Sequence, residues 1–438
     1  MDEIKVDFHK ILMGIDSEVD TLDGIKVRGV NFDNAATTPP LKSVVDSIIN
    51  LSSYYGSIGR GAGHKAEITT RIYNESRDHL MNFFNIKEKS KYTVIYVNNA
   101  TDGINKLART LINNKDEVVI STRMEHHSND LPWRKQCTVD HIEVDEVGRL
   151  KIDELEEKLI NYRGRVKYVT VTGASNVTGY INDIHKIARI VHKYNAKIIV
   201  DGAQLVPHVK VNMWGYSPEE RIDFLVFSAH KLYAPFGAGA IIGLKEDFDN
   251  SLPPNEGGGT VNFVMDKDVE YLLAPERDEA GTPNFFGAVS ISKALDELNK
   301  IGFDKLHKKE IYLRERLMNG LKSIPSIINY GDINYRWDRL GIGVFNLSFM
   351  YHQTVAEILA KSYGISVRQG WFCAHPYCRR LMRISEKDAS AFIHDKTKRM
   401  PGMIRVSFGM YNNEDEVDYF LDAIESIALK NKYTGFKL

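Results

Sequence analysis

Five short apolar runs, separated by stretches with one-sided helical patterning, constrain this chain more than any other feature of its sequence. They are YTVIYVNN (92–99), VKYVTVTG (166–173), KIIVDGAQ (197–204), IDFLVFSAHK (222–231) and GAIIGL (239–244). Runs this short and this continuously apolar read as strands buried on both faces. A helix is predicted from Thr101 through Leu111. In the segment after the second strand, Ile184, Ile187, Ala188 and Val191 fall at helical spacing and give one apolar face. Buried strands alternating with amphipathic helices predict an α/β fold with a mostly parallel central sheet, placed at residues 31–290.

The remainder differs in character. Residues 291–330 carry a long charged helical pattern, followed by GVFNLSF, a helix near 352–363, the segment GISVRQGWFCAHPY and a last helix in NEDEVDYFLDAIESIAL. This predicts a smaller α+β C-terminal domain over 291–438, with 1–30 as an N-terminal arm packing against it. The polar stretch 384–402 reads as a mobile loop or a short helix-loop insertion.

Charge narrows the possibilities further. The 438 residues include 57 basic and 58 acidic ones, a net charge of −1, so there is no global electrostatic case for nucleic acid or an anionic membrane. No apolar run of about eighteen residues appears. The acidic start MDEIKVDFHK lacks the apolar core of a signal peptide. Three cysteines, Cys137, Cys373 and Cys378, make no disulfide framework in so long a chain, and a cytoplasmic setting is expected.

In an open parallel sheet, ligands bind beyond the carboxyl ends of the strands. One strand here ends with Asp201 and Gln204, where a carboxylate would pair with a cationic ring nitrogen; a helix cap is the plainer reading of that Asp. Another ends with Ser228, His230 and Lys231. Enclosure there would lower the ammonium pKa, as a Schiff-base lysine requires, although a lone lysine is usually solvated. The first strand leads through Ala100 and Thr101 into a helix whose N-terminal amides suit a phosphate, or are simply capped. A phosphate seat, a carboxylate and an amine together are what pyridoxal phosphate asks for.

At these residues the chain resembles the aminotransferase class V family, and within it the group II (SUF-type) cysteine desulfurases and selenocysteine lyases. The matching blocks run from NFDNAATTPP (31–40) through EHHSNDLPW (125–133), SNVTG (175–179), DGAQ (201–204), SAHK (228–231), EAGTPN (279–284) and VRQGWFCAHP (367–376) to RVSFGMYN (405–412). The resemblance implies a fold-type I pyridoxal 5'-phosphate enzyme. Lys231 would bind the cofactor aldehyde and serve as the base at the substrate Cα. Asp201 would pair with the ring nitrogen, Gln204 with the ring hydroxyl, and His126 would stack on the ring and handle a proton at the substrate thiol. Ala100, Thr101, Ser228 and His230 would hold the phosphate, with Thr282 reaching it from a neighbouring subunit, which implies a homodimer with shared active sites. Asn176, Arg405 and Arg368 would take the substrate carboxylate. No metal is expected, because His126 and His127 have no further ligands spaced with them.

Cys373 decides the subclass. By the resemblance its thiolate attacks the sulfur of cysteine, giving alanine and a persulfide that passes to an acceptor in sulfur mobilisation and iron–sulfur cluster assembly. Selenocysteine lyase, or a class V aminotransferase or C–S lyase acting on another amino acid, are the alternatives. The chain departs from the group in three places: Trp371 and Phe372 precede Cys373 where histidines are usual, Cys378 follows it by five positions, and the gap from Cys373 to Arg405 is long and rich in arginine and lysine.

Overall fold

In the computed structural model, which describes residues 6–59, 61–333, 337–395 and 399–434, all five apolar runs enter one seven-stranded sheet. In chain order its strands are β1 Tyr92–Val97, β2 Val118–Thr122, β3 Thr138–Ile142, β4 Val166–Thr172, β5 Lys197–Asp201, β6 Phe224–Ser228 and β7 Gly239–Leu244. Across the sheet they run β1-β7-β6-β5-β4-β2-β3. β7 is antiparallel to both of its neighbours, and every other pair is parallel. Every residue of β1, β2 and β6 is buried, as strands covered on both faces must be. β3, at the edge, is exposed at its start, and its polar sequence TVDHI gave no apolar run to detect.

Two helices show how the sheet is covered. Helix α1, Ala100–Leu111, is capped by Asn99, whose side chain accepts from the Asp102 N–H at 3.0 Å. A Cβ at Gly103 would lie 2.7 Å from Val226, so only glycine lets α1 press this closely on the sheet. Helix α2, Ile184–Lys193, buries the four residues that the spacing picked out, Ile184, Ile187, Ala188 and Val191.

After helices α3, Phe285–Ile301, and α4, Phe303–Ser323, a second sheet forms from β8 Ile327–Asn329, β9 Ile342–Leu347, β10 Arg368–Gly370 and β11 Met403–Ser407. Its order is β8-β9-β11-β10, antiparallel throughout. Phe32, Phe345, Phe408 and Phe420 form its core, with Phe32 edge-on to Phe408 at 5.5 Å and to Phe420 at 5.7 Å. The N-terminal arm touches both halves. Val30–Asn31 pairs in parallel with Ile365–Ser366, and Arg28 meets Glu416, while Phe8, Leu12 and Ile15 join the larger core beside Leu41 and Val44.

Between β10 and β11 lie the cysteine loop, helix α5, His375–Leu381, and helix α6, Glu386–His394. Lys396 and Lys398, part of the arginine- and lysine-rich gap between Cys373 and Arg405, lie outside the described residues. No helix among the described residues is long and apolar enough to cross a membrane.

Candidate active site

The carboxyl ends of β5 and β6, the start of α1 and the loop after β10 enclose a cavity of about 920 Å³. Asp201 closes β5 and is buried; its Oδ1 accepts from the Ala203 N–H at 2.9 Å. Burial raises its carboxyl pKa, and the nearby Lys231 opposes the rise. Lys231 sits in the turn that follows β6, on the cavity wall. Enclosure draws its ammonium down to about 8, against the pull of Asp201, which favours the charged form. Gln204 donates through Nε2 to the Ala35 carbonyl at 2.7 Å. Its Oε1 is buried with no hydrogen-bond partner among the described residues.

One wall is built for an anion. The Ala100 N–H donates to Ser228 Oγ at 2.7 Å, tying the start of α1 to the end of β6. The Thr101 and Ser128 hydroxyls lie 2.6 Å apart. With His230 these groups surround the N-terminus of α1, whose dipole favours negative charge. The His230 carbonyl accepts from the hydroxyls of Thr37 at 3.2 Å and Thr38 at 3.0 Å, which fixes the turn that carries Lys231.

His126 stands on the same wall. Its Nδ1 accepts from the Ser128 N–H at 3.1 Å, so the neutral ring carries its proton on Nε2. Burial, and then the charge of Lys231, pull its pKa down to about 3. Behind it Glu125 is buried, accepting from the Thr122 hydroxyl at 2.7 Å, Asn129 Nδ2 at 2.7 Å and the Thr172 N–H at 2.9 Å. Burial pushes the Glu125 carboxyl up to about 8 even against these three donors.

The opposite wall comes from the C-terminal sheet. Cys373 is exposed at the cavity on a short loop whose carbonyls are all held. The Trp371 carbonyl accepts from the Ala374 N–H at 2.9 Å, that of Phe372 from Asn176 Nδ2 at 2.8 Å, and that of Cys373 from the His127 N–H at 2.7 Å. Phe372 at φ +50° and Cys373 at φ +52° both occupy the left-handed region, which side-chain-bearing residues adopt only when their surroundings impose it. Cys378 is buried and its thiol donates to the Trp371 carbonyl at 3.1 Å; burial drives its pKa far above the usual range. Arg405 is buried on β11, donating to the Asn176 carbonyl at 2.8 Å and to Asp33 Oδ1 at 3.1 Å, with Nε unpartnered among the described residues. Arg368 reaches the other oxygen of Asp33 at 2.8 Å.

The structure thus brings Ala100, Thr101, His126, Asn176, Asp201, Gln204, Ser228, His230, Lys231, Arg368, Cys373 and Arg405 to one cavity. Thr282 stands apart, on a separate cavity of about 170 Å³ that shares Asn98 and Ala238 with the first. Sequence reasoning missed Asp33, Glu125 and Ser128, and weighed His127 only as a metal ligand. Asp33, Glu125 and Ser128 act through other side chains, and His127 holds the cysteine loop through its backbone N–H. Such roles leave no polar residue conspicuous at a strand end.

The chain matches the family Aminotransferase class-V over residues 30–420. It is 32% identical to a probable cysteine desulfurase of Pyrococcus abyssi over 411 residues, covering 91% of this chain and 94% of that one. It is also 32% identical to a cysteine desulfurase of Cronobacter sakazakii, covering 88% of this chain and 90% of that one. Among solved structures, the apo cysteine desulfurase of Thermococcus onnurineus NA1 superposes with a TM-score of 0.80 at 29% identity, covering 92% of this chain and 95% of that one.

Proposed function

The chain belongs to the aminotransferase class-V family, and from there we propose that it is a pyridoxal-phosphate-dependent cysteine desulfurase, converting L-cysteine to L-alanine and keeping the sulfur as a persulfide on Cys373. The observation that carries this reading is an exposed cysteine held on the same cavity as Lys231 and Asp201.

The residues fit the cofactor. The buried, unpartnered Gln204 Oε1 suits a ring hydroxyl, and Asp201 suits a ring nitrogen. Ala100, Thr101, Ser228 and His230 would hold the phosphate, and His126 the ring face. Bound there, pyridoxal phosphate supplies an aldehyde for an amine and a cationic ring that draws electrons from the substrate Cα. Arg405, with Asn176 and Arg368, takes the substrate carboxylate, for which a planar guanidinium is well shaped. Lys231 removes the Cα proton, its lowered pKa leaving a usable fraction of neutral amine near pH 7. His126, with its proton on Nε2, serves at the substrate thiol. The Cys373 thiolate attacks the substrate sulfur; the Cβ–S bond breaks as the S–S bond forms, and Cβ gains a proton. One thiol and one cysteine become one persulfide and one alanine.

The reading includes a homodimer in which Thr282 of the partner subunit completes the phosphate seat. The hairpin of Val261–Val264 and Val269–Tyr271 supports it, since Phe263 is 62% exposed and Val264 56%, an apolar tip suited to a second copy. With this reading go an arm over 1–30, a cofactor-holding unit over 31–290 and a cysteine-bearing unit over 291–438. It also carries delivery of the persulfide sulfur to an acceptor for iron–sulfur cluster assembly in the cytoplasm.

The test is alanine and sulfide release from L-cysteine with dithiothreitol, for the wild type and Cys373→Ala in parallel. Equal amounts of both products, lost in the variant while its bound-cofactor absorbance persists, are expected. Activity that survives the substitution overturns the assignment to Cys373.

A further inference from the structure

Helix α5 begins just after the cysteine loop, and its first turn cannot satisfy itself. The opening N–H groups of a helix have no carbonyl within the helix to meet. Here the Tyr377 and Cys378 N–H groups turn back to the Ala374 carbonyl at 3.1 and 2.9 Å, and Pro376 has no N–H. The His375 N–H is left over, and Ala374 at the cap position has no side-chain oxygen to offer it. Nε2 of His127, in the turn after β2, accepts it at 3.2 Å. The two imidazoles also meet edge to face with 4.5 Å between their centres, and Trp371 packs on His375 at 5.1 Å. Because Nε2 accepts, the neutral His127 ring carries its proton on Nδ1, the reverse of His126 beside it. Burial first, and then the charge of His375, lower the His127 pKa against the pull of Asp130, so the ring is neutral near pH 7. His127 is half-buried and does not line the catalytic cavity, whereas His126 and Ser128 on either side of it do.

We propose that the His127 imidazole is a positioning residue for sulfur transfer: it caps α5 and so holds Cys373 in the conformation that meets the substrate sulfur. The proposal rests on the desulfurase reading. Phe372 and Cys373 both sit in the left-handed region, a conformation that persists only while contacts hold it. Asn176 fixes the Phe372 carbonyl on one side. On the other, His127 grips the chain on both sides of Ala374, donating its own N–H to the Cys373 carbonyl at 2.7 Å and accepting the His375 N–H with its ring. A side-chain substitution at His127 removes the second grip and leaves the first. The ring neither gains nor loses a proton while the Cys373 thiolate forms the S–S bond and the Cβ–S bond breaks. Arg405, Asn176 and Arg368, which take the substrate carboxylate, do not depend on the ring, so its loss should fall on turnover and not on substrate binding.

The test compares holoenzyme of the wild type, His127→Leu and His127→Gln. Leucine keeps the apolar bulk but cannot accept a hydrogen bond; glutamine offers an amide oxygen near the place of Nε2. Two quantities are read: hydrogen–deuterium exchange of the peptide carrying residues 371–378, and kcat and KM for alanine release from L-cysteine with dithiothreitol. In His127→Leu the peptide should exchange about tenfold faster, and kcat should fall by about tenfold while KM stays within about threefold. His127→Gln should restore both to within about threefold of the wild type. Unchanged visible absorbance of the bound cofactor shows that His126 and the cofactor seat are intact. If His127→Leu does not fold, His127→Asn takes its place, since its shorter amide falls short of the His375 N–H. Unchanged exchange, unchanged kcat, a fall that glutamine does not reverse, or a loss carried by KM alone overturns the proposal. Failure of the wild type to release alanine overturns the desulfurase reading instead, and the exchange comparison, which needs no substrate, still decides whether the imidazole holds the loop.

Discussion

Asp33 and Arg405 are joined by a 3.1 Å hydrogen bond across the wall of the cavity, from a loop near the N-terminus to the centre of β11. Arg368 shares the same carboxylate, so two guanidiniums and one acid leave a single positive charge where a substrate carboxylate would bind. Asp33→Asn removes the countercharge of the buried Arg405 and frees both guanidiniums to reorient. The KM for cysteine should rise by about tenfold while kcat changes less than about threefold, the pattern of a lost binding contribution. A fall in kcat at constant KM would place Asp33 in a different role.

Cofactor capture by the apo-protein should report the lowered pKa of Lys231. Only the neutral amine attacks an aldehyde. A value of about 8, against about 10.4 for an ordinary lysine, raises the neutral fraction at pH 7 roughly 200-fold. The capture rate, followed by visible absorbance, should climb about tenfold per pH unit and level off above about pH 8. The sign for stability follows from the same depression. The unfolded chain binds the extra proton between about pH 8 and 10.4, so the apo-protein gains stability over that interval. Lys231→Met should flatten the rise.

Glu125→Ala should destabilise the fold by about 3 kcal/mol, because it leaves the Thr122 hydroxyl, Asn129 Nδ2 and the Thr172 N–H without their acceptor in a buried setting. A chemical denaturation midpoint measures this directly. A loss under about 1 kcal/mol would mean that the site repacks or admits water.

Phe263→Asp should shift the sedimentation behaviour from dimer toward monomer, since it puts a charge on the exposed apolar hairpin. Thr282→Ala should weaken cofactor retention in the dimer. If it leaves retention unchanged while Phe263→Asp still dissociates the dimer, the subunits associate without sharing the phosphate seat.

What could be read from the sequence followed the physics of burial. Strands covered on both faces write themselves as apolar runs, so β1, β4, β5, β6 and β7 were legible, and with them Asp201, Ser228 and Lys231 at their ends. β3 was not, because an edge strand keeps polar residues. Asp33 and the hold of His127 on the cysteine loop were missed for another reason. Each gains its meaning from a partner more than two hundred positions away, Arg405 in one case and the Cys373 carbonyl in the other, and no local pattern encodes such a pairing. The segment 384–402, read as a mobile loop or a short helix-loop insertion, contains a capped helix at Glu386–His394, with the Ser385 hydroxyl accepting from the Asp388 N–H at 3.1 Å.

The burial of Cys378 has a consequence for life in an oxidising environment. Many redox-tolerant thiols survive peroxide because a second thiol condenses with the first oxidation product and returns it to a reducible disulfide. Cys378, although only five positions from Cys373, is enclosed beneath Trp371 and held as a protonated thiol, so it cannot play that rescuing part. Cys137 is absent from the cavity lining, and burial raises its thiol to about 11, so a sulfenic acid on Cys373 must wait for a thiol from outside the chain. Under sustained peroxide it should advance to the irreversible acids, detectable as two- and three-oxygen increments on Cys373 itself, and a small external thiol supplied early should prevent the loss.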